Sequence, residues 1–106
     1  MIARTLAVRL RRAAATFPVV SVTGPRQSGK TTLVRRVFPR HRYVSLEAPD
    51  DRREALEDPR GFLARFSGPV IVDEAQRAPD LFSYIQVAVD ERRRPGRFVL
   101  IGSSNF

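Results

Sequence analysis

The chain of 106 residues contains no cysteine, a single histidine and a single lysine. Without cysteine it can form neither a disulfide framework nor a thiolate metal site. His41 has no second histidine to pair with, which argues against a zinc centre. No apolar run approaches the roughly 20 residues that a bilayer-spanning helix needs. Acid is also missing from a whole region: residues 1–46 hold nine Arg and one Lys with no Asp or Glu, a sum of +10. Residues 47–106 hold nine Arg against 11 acids, a sum of −2, which leaves the chain at +8.

The remaining composition, 42% hydrophobic and 28% charged, is that of a globular chain. Its length suits one small domain. A cytoplasmic location is the default expectation, with no membrane contact. The basic half attracts polyanions, either nucleotide phosphates or nucleic acid. A general preference for Arg over Lys, giving only a solvated face, accounts for the same residues. The opening "MIARTLAVRLRRAAATFP" is Arg-rich and acid-free, as mitochondrial transit peptides are. It runs into the first strand without a linker, so we read residues 1–17 as a first helix with Ile2, Leu6, Leu10, Ala13, Ala14 and Phe17 near one face.

Four short apolar runs read as strands: "VVSVT" (19–23), "YVSL" (43–46), "VIVD" (70–73) and "FVLIG" (98–102). They are rich in β-branched residues and several are nearly continuous, the pattern of strands buried on both faces. Helical stretches separate them. "GKTTLVRRVF" spaces Leu33, Val34, Val37 and Phe38 along one face. "DRREALEDPRGFLARF" reads as two short helices broken before Pro59. "PDLFSYIQVAVDERRR" starts at Pro79 and directs Leu81, Phe82, Ile85 and Val89 to one side. Alternating strands and helices predict an α/β fold, a mainly parallel sheet of four strands with helices on both faces. Ligands bind such sheets at the carboxyl ends of the strands. Those ends deliver Gly24, then Glu47, then Asp73 and Glu74, then Ser103, Ser104 and Asn105.

Gly24-Pro25-Arg26-Gln27-Ser28-Gly29-Lys30-Thr31 fits G-x-x-x-x-G-K-[ST], the phosphate-binding P-loop, between a strand and a helix as the mechanism requires. The glycines let the backbone turn and approach a ligand closely. The amides of residues 26 to 31 form a nest for an anion, reinforced by the helix N-terminus. Pro25, Arg26 and Gln27 fill variable positions, where Arg26 touches phosphate or faces solvent. Lys30 suits the β- and γ-phosphates as a compact, flexible charge, whereas a guanidinium is a wide planar fork. This is why the only lysine of an arginine-rich chain stands here. The Thr31 hydroxyl is a Mg²⁺ ligand in such a loop, and Thr32 can reach a phosphate nearer the sugar.

"GPVIVDEAQ" ends an apolar strand in two acids, a Walker B pattern. Asp73 is the residue to hold Mg²⁺, and Glu74 to orient and deprotonate an attacking water. A Ras-like GTPase would read D-x-x-G where residues 73–76 read "DEAQ". An N-K-x-D guanine motif cannot exist, because the one lysine is already used. Small-molecule P-loop kinases remain an open alternative. At the fourth strand end, Asn105 first and Ser103 second are candidates to contact the γ-phosphate or the lytic water, although Ser and Asn also form turns there.

Together "GPRQSGKTT", "YVSLEAPDDR", "PVIVDEAQRAP" and "RFVLIGSSNF" resemble the AAA-type ATPase domain of a prokaryotic P-loop family. Its members read GPRQ-x-GKTT, L-D-x-P-D, D-E-x-Q-R-x-P and a G-S-S strand end. The resemblance runs from about residue 4 to residue 106. It implies a three-layer P-loop NTPase fold of the AAA+ kind, in the strand order Walker A, sensor, Walker B, second strand. It implies ATP with Mg²⁺ as ligands, and hydrolysis by in-line attack of water. Similar proteins continue into a further strand, a helical lid and a second domain that is sometimes suspected of DNA contact. The expectation is therefore a core, residues 18–106, that lacks the C-terminal part of the fold. Such a core binds nucleotide with slow or no turnover alone, or self-associates to cover its sheet edge. An arginine finger would have to come in trans from Arg92, Arg93 or Arg94, although cations there also suit a helix end. The segment Arg4 to Val8 is the usual neighbourhood of the adenine pocket. Glu47, Asp50 and Gln76 match the pattern without a derivable role. The alternative function is a basic nucleic-acid-binding module, gated by ATP or independent of it.

Overall fold

The computed structural model describes residues 2–25 and 29–103, and the side chain of Ile2 lies outside the described ones. Helix α1 (Ile2–Thr16) leads into strand β1 (Val19–Gly24), followed by α2 (Lys30–Val37), β2 (Arg42–Ser45), α3 (Pro49–Glu57) and α4 (Pro59–Ala64). Then come β3 (Val70–Asp73), a 3₁₀ turn at Ala75–Arg77, α5 (Leu81–Glu91) and β4 (Phe98–Ser103). The fold is α/β, with one four-stranded sheet in the order β1-β4-β3-β2 and every pairing parallel. This is the order that the resemblance implies.

Local chemistry accounts for the element ends. Two prolines open α3 and α4, where their missing N–H is no loss. Asp50 and Asp51 sit in the first turn of α3, favourably placed on the helix dipole. Asp58 caps α4 by accepting from the Gly61 amide at 3.0 Å. Arg65 ties the two helices together, reaching Asp51 and Glu54 at 2.9 Å each.

The sheet separates two cores. On one face Leu10 of α1 and Val34 of α2, with Phe38 just after it, pack on Val20, Val22, Ile71, Val99 and Ile101. On the other, Ala55, Phe62, Phe66, Leu81, Ile85 and Val89 cover Val44, Val70, Val72, Phe98 and Leu100. Residues of β3 and β4 therefore alternate between the two cores, and 70–73 and 98–101 are buried throughout. Strand β1 departs from the expected burial on both faces: Val20 and Val22 are buried, but Ser21 and Thr23 are exposed. It is an edge strand, and one of its faces has less cover.

Two helix-face expectations are corrected. Phe17 is 54% exposed, because α1 ends at Thr16 and helical spacing no longer governs the next residue. Its backbone is used instead, its carbonyl accepting from the Gly96 amide at 2.8 Å. Phe82 is 44% exposed, whereas Leu81, Ile85 and Val89 are buried. One residue along a helix turns by about 100°, so Phe82 leaves the stripe that recurs every four residues. Among the described residues no helix is long and apolar enough to cross a membrane.

Candidate functional site

Parallel register brings the carboxyl ends of the strands into one row. Gly24 lies beside Ser103, Ile101 beside Asp73, and Asp73 beside Ser45. The residues that leave those ends are polar, and they bond to one another across strands.

Gly29 opens α2 with φ 80°, a left-handed conformation in which a side chain is strained although no atom of the described residues would crowd a Cβ. The glycine is required here by conformation. The next residue, Lys30, is 9% exposed, and its Nζ donates to the Pro25 carbonyl at 2.9 Å. The ammonium is thus held against the backbone that leaves β1. Thr31 Oγ1 donates to Asp73 Oδ2 at 2.8 Å, across 42 residues of sequence. Thr32 is exposed one position further along.

Asp73 is 5% exposed and well supplied with donors. Besides Thr31, it accepts the Tyr43 hydroxyl on Oδ2 at 2.7 Å and the Glu74 amide on Oδ1 at 2.8 Å. The Tyr43 phenol is pushed up to about 12, first by burial and then by the hydrogen bond to Asp73 and its charge. It stays a donor at any ordinary pH. The Arg35 guanidinium lies 4.1 Å above the centre of its ring.

Glu74 takes φ 54°, the one positive φ among the described non-glycine residues. For a residue with a Cβ this conformation costs on the order of 1–3 kcal/mol. It ends β3 sharply and starts the 3₁₀ turn that brings Gln76 back beside Glu74. Gln76 Nε2 donates to Glu74 Oε1 at 2.7 Å, and Gln76 Oε1 accepts from the Ser103 amide at 3.4 Å. Ser103 Oγ donates to Glu74 Oε2 at 3.2 Å. A Cβ on Gly102 would come within 3.3 Å of Gln76 Oε1, so the glycine keeps that approach open. Arg77 of the same turn pairs with Glu47 at 2.8 Å.

Of the residues expected at the site, Gly24, Pro25, Gly29, Lys30, Thr31, Thr32, Asp73, Glu74 and Ser103 gather at this sheet end. Arg26, Gln27, Ser28, Ser104 and Asn105 lie outside the described residues. Two members had no expected role. Gln76 was visible as a matched position, and its bridging amide becomes apparent only beside Glu74 and Ser103. Tyr43 had no signal, since a tyrosine in a strand reads as a packing residue. Arg92 follows the last residue of α5, as a helix-ending cation does. A cavity of about 340 Å³ lined by Leu63, Phe66, Tyr84, Arg92 and Arg97 lies near the opposite, amino ends of β3 and β4.

Among the described residues no three His, Cys, Asp or Glu side chains cluster as a self-sufficient metal site. The site instead offers the carboxylate of Asp73 and the hydroxyl of Thr31, bonded to each other, with Lys30 next to Thr31 at the start of α2.

Comparison with known proteins finds relatives and a family for the chain as a whole. An uncharacterized protein of Mycobacterium tuberculosis and one of Mycobacterium bovis are each 46% identical to the chain over 104 residues. The match covers 96% of this chain but only 23% of either relative. The model of the AAA domain matches residues 16–106, from the end of α1 through all four strands. With its parallel sheet and its polar strand ends, the chain belongs to the AAA domain family and is an ATPase-like domain.

Proposed function

We propose that the chain binds ATP together with Mg²⁺, and that its residues serve hydrolysis of the γ-phosphate by in-line attack of water. The observation that carries this reading is the 2.8 Å hydrogen bond from Thr31 to Asp73. It joins the glycine loop to the acidic strand end, the two parts that a nucleotide–metal complex must meet at once. The donors fit the metal: a carboxylate and a hydroxyl are hard oxygen ligands, and Mg²⁺ takes few protein ligands beside phosphate and water. Thr31 and Asp73 are the residues that would hold it. When bound, the ion neutralises charge on the β- and γ-phosphates.

The other groups have separate tasks. Lys30 leaves the Pro25 carbonyl for phosphate, exchanging a neutral acceptor for a charged one. Both bonds are charge-assisted through the ammonium, but phosphate adds the attraction of an opposite charge, which favours the exchange. The Glu74 carboxylate accepts the proton of the attacking water, and Gln76 and Ser103 fix its direction. Phosphoryl transfer depends on positioning and charge, and an arginine finger supplied by a partner adds about 10³ to 10⁵ to the rate. Without such a partner, nucleotide binding with slow or undetectable turnover is expected of these 106 residues.

Calorimetric titration with ATP and Mg²⁺, set against GTP, tests the reading. Binding is expected for ATP, to be lost in Lys30→Ala and retained in Glu74→Gln, which also loses hydrolysis. If Lys30→Ala binds as the parent does, the site is wrongly assigned.

A second reading rests on how charge is distributed over the layers. Helices α1 and α2 cover one face of the sheet and carry Arg4, Arg9, Arg11, Arg12, Arg35 and Arg36, all exposed, with no acid in residues 1–46. All three acidic partners of Arg65 and Arg77 belong to α3 or the residues just before it. A face of one sign suits nucleic acid. Labelled DNA is then expected to bind with affinity that falls steeply between 50 and 200 mM salt and is indifferent to Lys30→Ala. A flat salt response removes this reading.

A further inference from the structure

Asp73 has a partner that nucleotide binding does not require. Tyr43 of β2 donates to Oδ2 at 2.7 Å, the same oxygen that accepts Thr31 at 2.8 Å. Oδ1 accepts the Glu74 amide at 2.8 Å. An ionised carboxylate has about four acceptor positions. Among the described residues both positions on Oδ2 are taken, and one remains, on Oδ1. The arrangement is held from two sides. Asp73 is 5% exposed, and the ring of Tyr43 is covered by Arg35 at 4.1 Å. Arg35 stands one helical turn after Thr31, so one face of α2 provides both a donor to Oδ2 and the cover for the other donor's ring.

We propose that Tyr43 is a specificity-determining residue for the metal ion, selecting Mg²⁺ over Ca²⁺ by restricting Asp73 to one available oxygen. The inference rests on the ATP–Mg²⁺ reading above and adds a residue to it. Mg²⁺ requires a tight octahedral shell, keeps several waters and takes one or two carboxylates. Ca²⁺ takes six to eight oxygens at longer range and accepts a carboxylate through both of its oxygens. A two-oxygen grip needs an open position on each oxygen. With its phenol on Oδ2, Tyr43 withholds one of them. Thr31 alone would leave one open, so the restriction depends on the phenol.

Tyr43→Phe removes this one donor and keeps the ring under Arg35. The test uses the 106-residue chain and a fluorescent ATP analogue, titrated with Mg²⁺ or Ca²⁺ to find the metal concentration at half-maximal binding. In Tyr43→Phe the Ca²⁺ midpoint is expected to fall about three- to tenfold relative to the Mg²⁺ midpoint, the effect of releasing one hydrogen-bonded position. A purely structural role would move both midpoints together. Arg35→Ala, which uncovers the ring and retains the phenol, is expected to move the ratio in the same direction by less. It also serves if Tyr43→Phe does not fold, as judged by thermal melting. Metal-dependent binding with an unchanged Ca²⁺/Mg²⁺ ratio in a folded variant overturns the proposal alone. Failure of the parent to bind the analogue with either ion overturns the ATP–Mg²⁺ reading, and the proposal with it.

Discussion

The two ends of β4 treat polar side chains in opposite ways. Just before the strand, Arg97 donates to the carbonyls of Ala88 at 2.9 Å and Arg92 at 2.8 Å, and His41 Nε2 donates to the Gly96 carbonyl at 2.8 Å. These cations and rings complete backbone groups that helix and loop ends leave over. Burial, with Arg92 and Arg94 nearby, lowers the Arg97 pKa from its ordinary value, the opposite of what a carboxylate partner would do. At the far end Ser103 meets Glu74, which meets Gln76, while Thr31 and Tyr43 meet Asp73. Here side chains from different elements satisfy each other. Charge is plentiful at both ends, so charge alone does not mark a site. Polar side chains bonded to each other across strands do, because each such pair is positioned by tertiary structure and can be redirected by a ligand.

Exchanging mutations between the two ends is the strongest way to break this contrast. Lys30→Ala is expected to weaken ATP–Mg²⁺ binding by about 2–5 kcal/mol, the range for truncating one partner of a buried charged contact. Arg97→Ala should leave the same titration unchanged. An equal loss from both would mean that the amino end also carries nucleotide. The next effect is on stability. Arg97→Ala removes two donations from a guanidinium that is partly exposed, and should lower unfolding free energy by about 1–2 kcal/mol in a denaturant melt, below the full range for charged donors. The smallest effect sharpens the carboxyl end. Gln76→Ala frees Glu74 from one of its supports while leaving the loop intact. It should lower turnover in an active assembly about fivefold, near 1 kcal/mol, with nucleotide affinity unchanged. Lost affinity would instead give Gln76 a part in binding.

Much of this was legible in the linear sequence where short-range rules apply. The run "VIVD" corresponds residue for residue to β3, because three buried apolar positions bounded by Pro69 and an acidic pair admit little else. The break before Pro59 separates α3 from α4 as expected, since proline fits the first turn of a helix and not its interior. Lys30 and Thr31 are fixed relative to each other by the start of α2, so their placement together near the carboxyl ends of the strands was readable as well. Phe17 and Phe82 were misplaced because apolarity was taken as burial, and each lies beyond the stripe that its helix packs. The open face of β1 was not legible, since Val19–Gly24 resembles the central strands and only its place at the sheet edge leaves Ser21 and Thr23 exposed.

The sequence by itself determined the kinds of groups available: a glycine at a left-handed position, one ammonium after it, two acids closing an apolar strand, and a basic half with no acid. These follow from neighbours within a few residues, where backbone sterics and hydrophobic spacing act directly. Only the tertiary structure decided which of them meet. Tyr43 is 30 residues from Asp73, and Ser103 is 29 from Glu74. Contacts at such separations depend on strand order and parallel register, which arise from packing two cores against one sheet rather than from any local run.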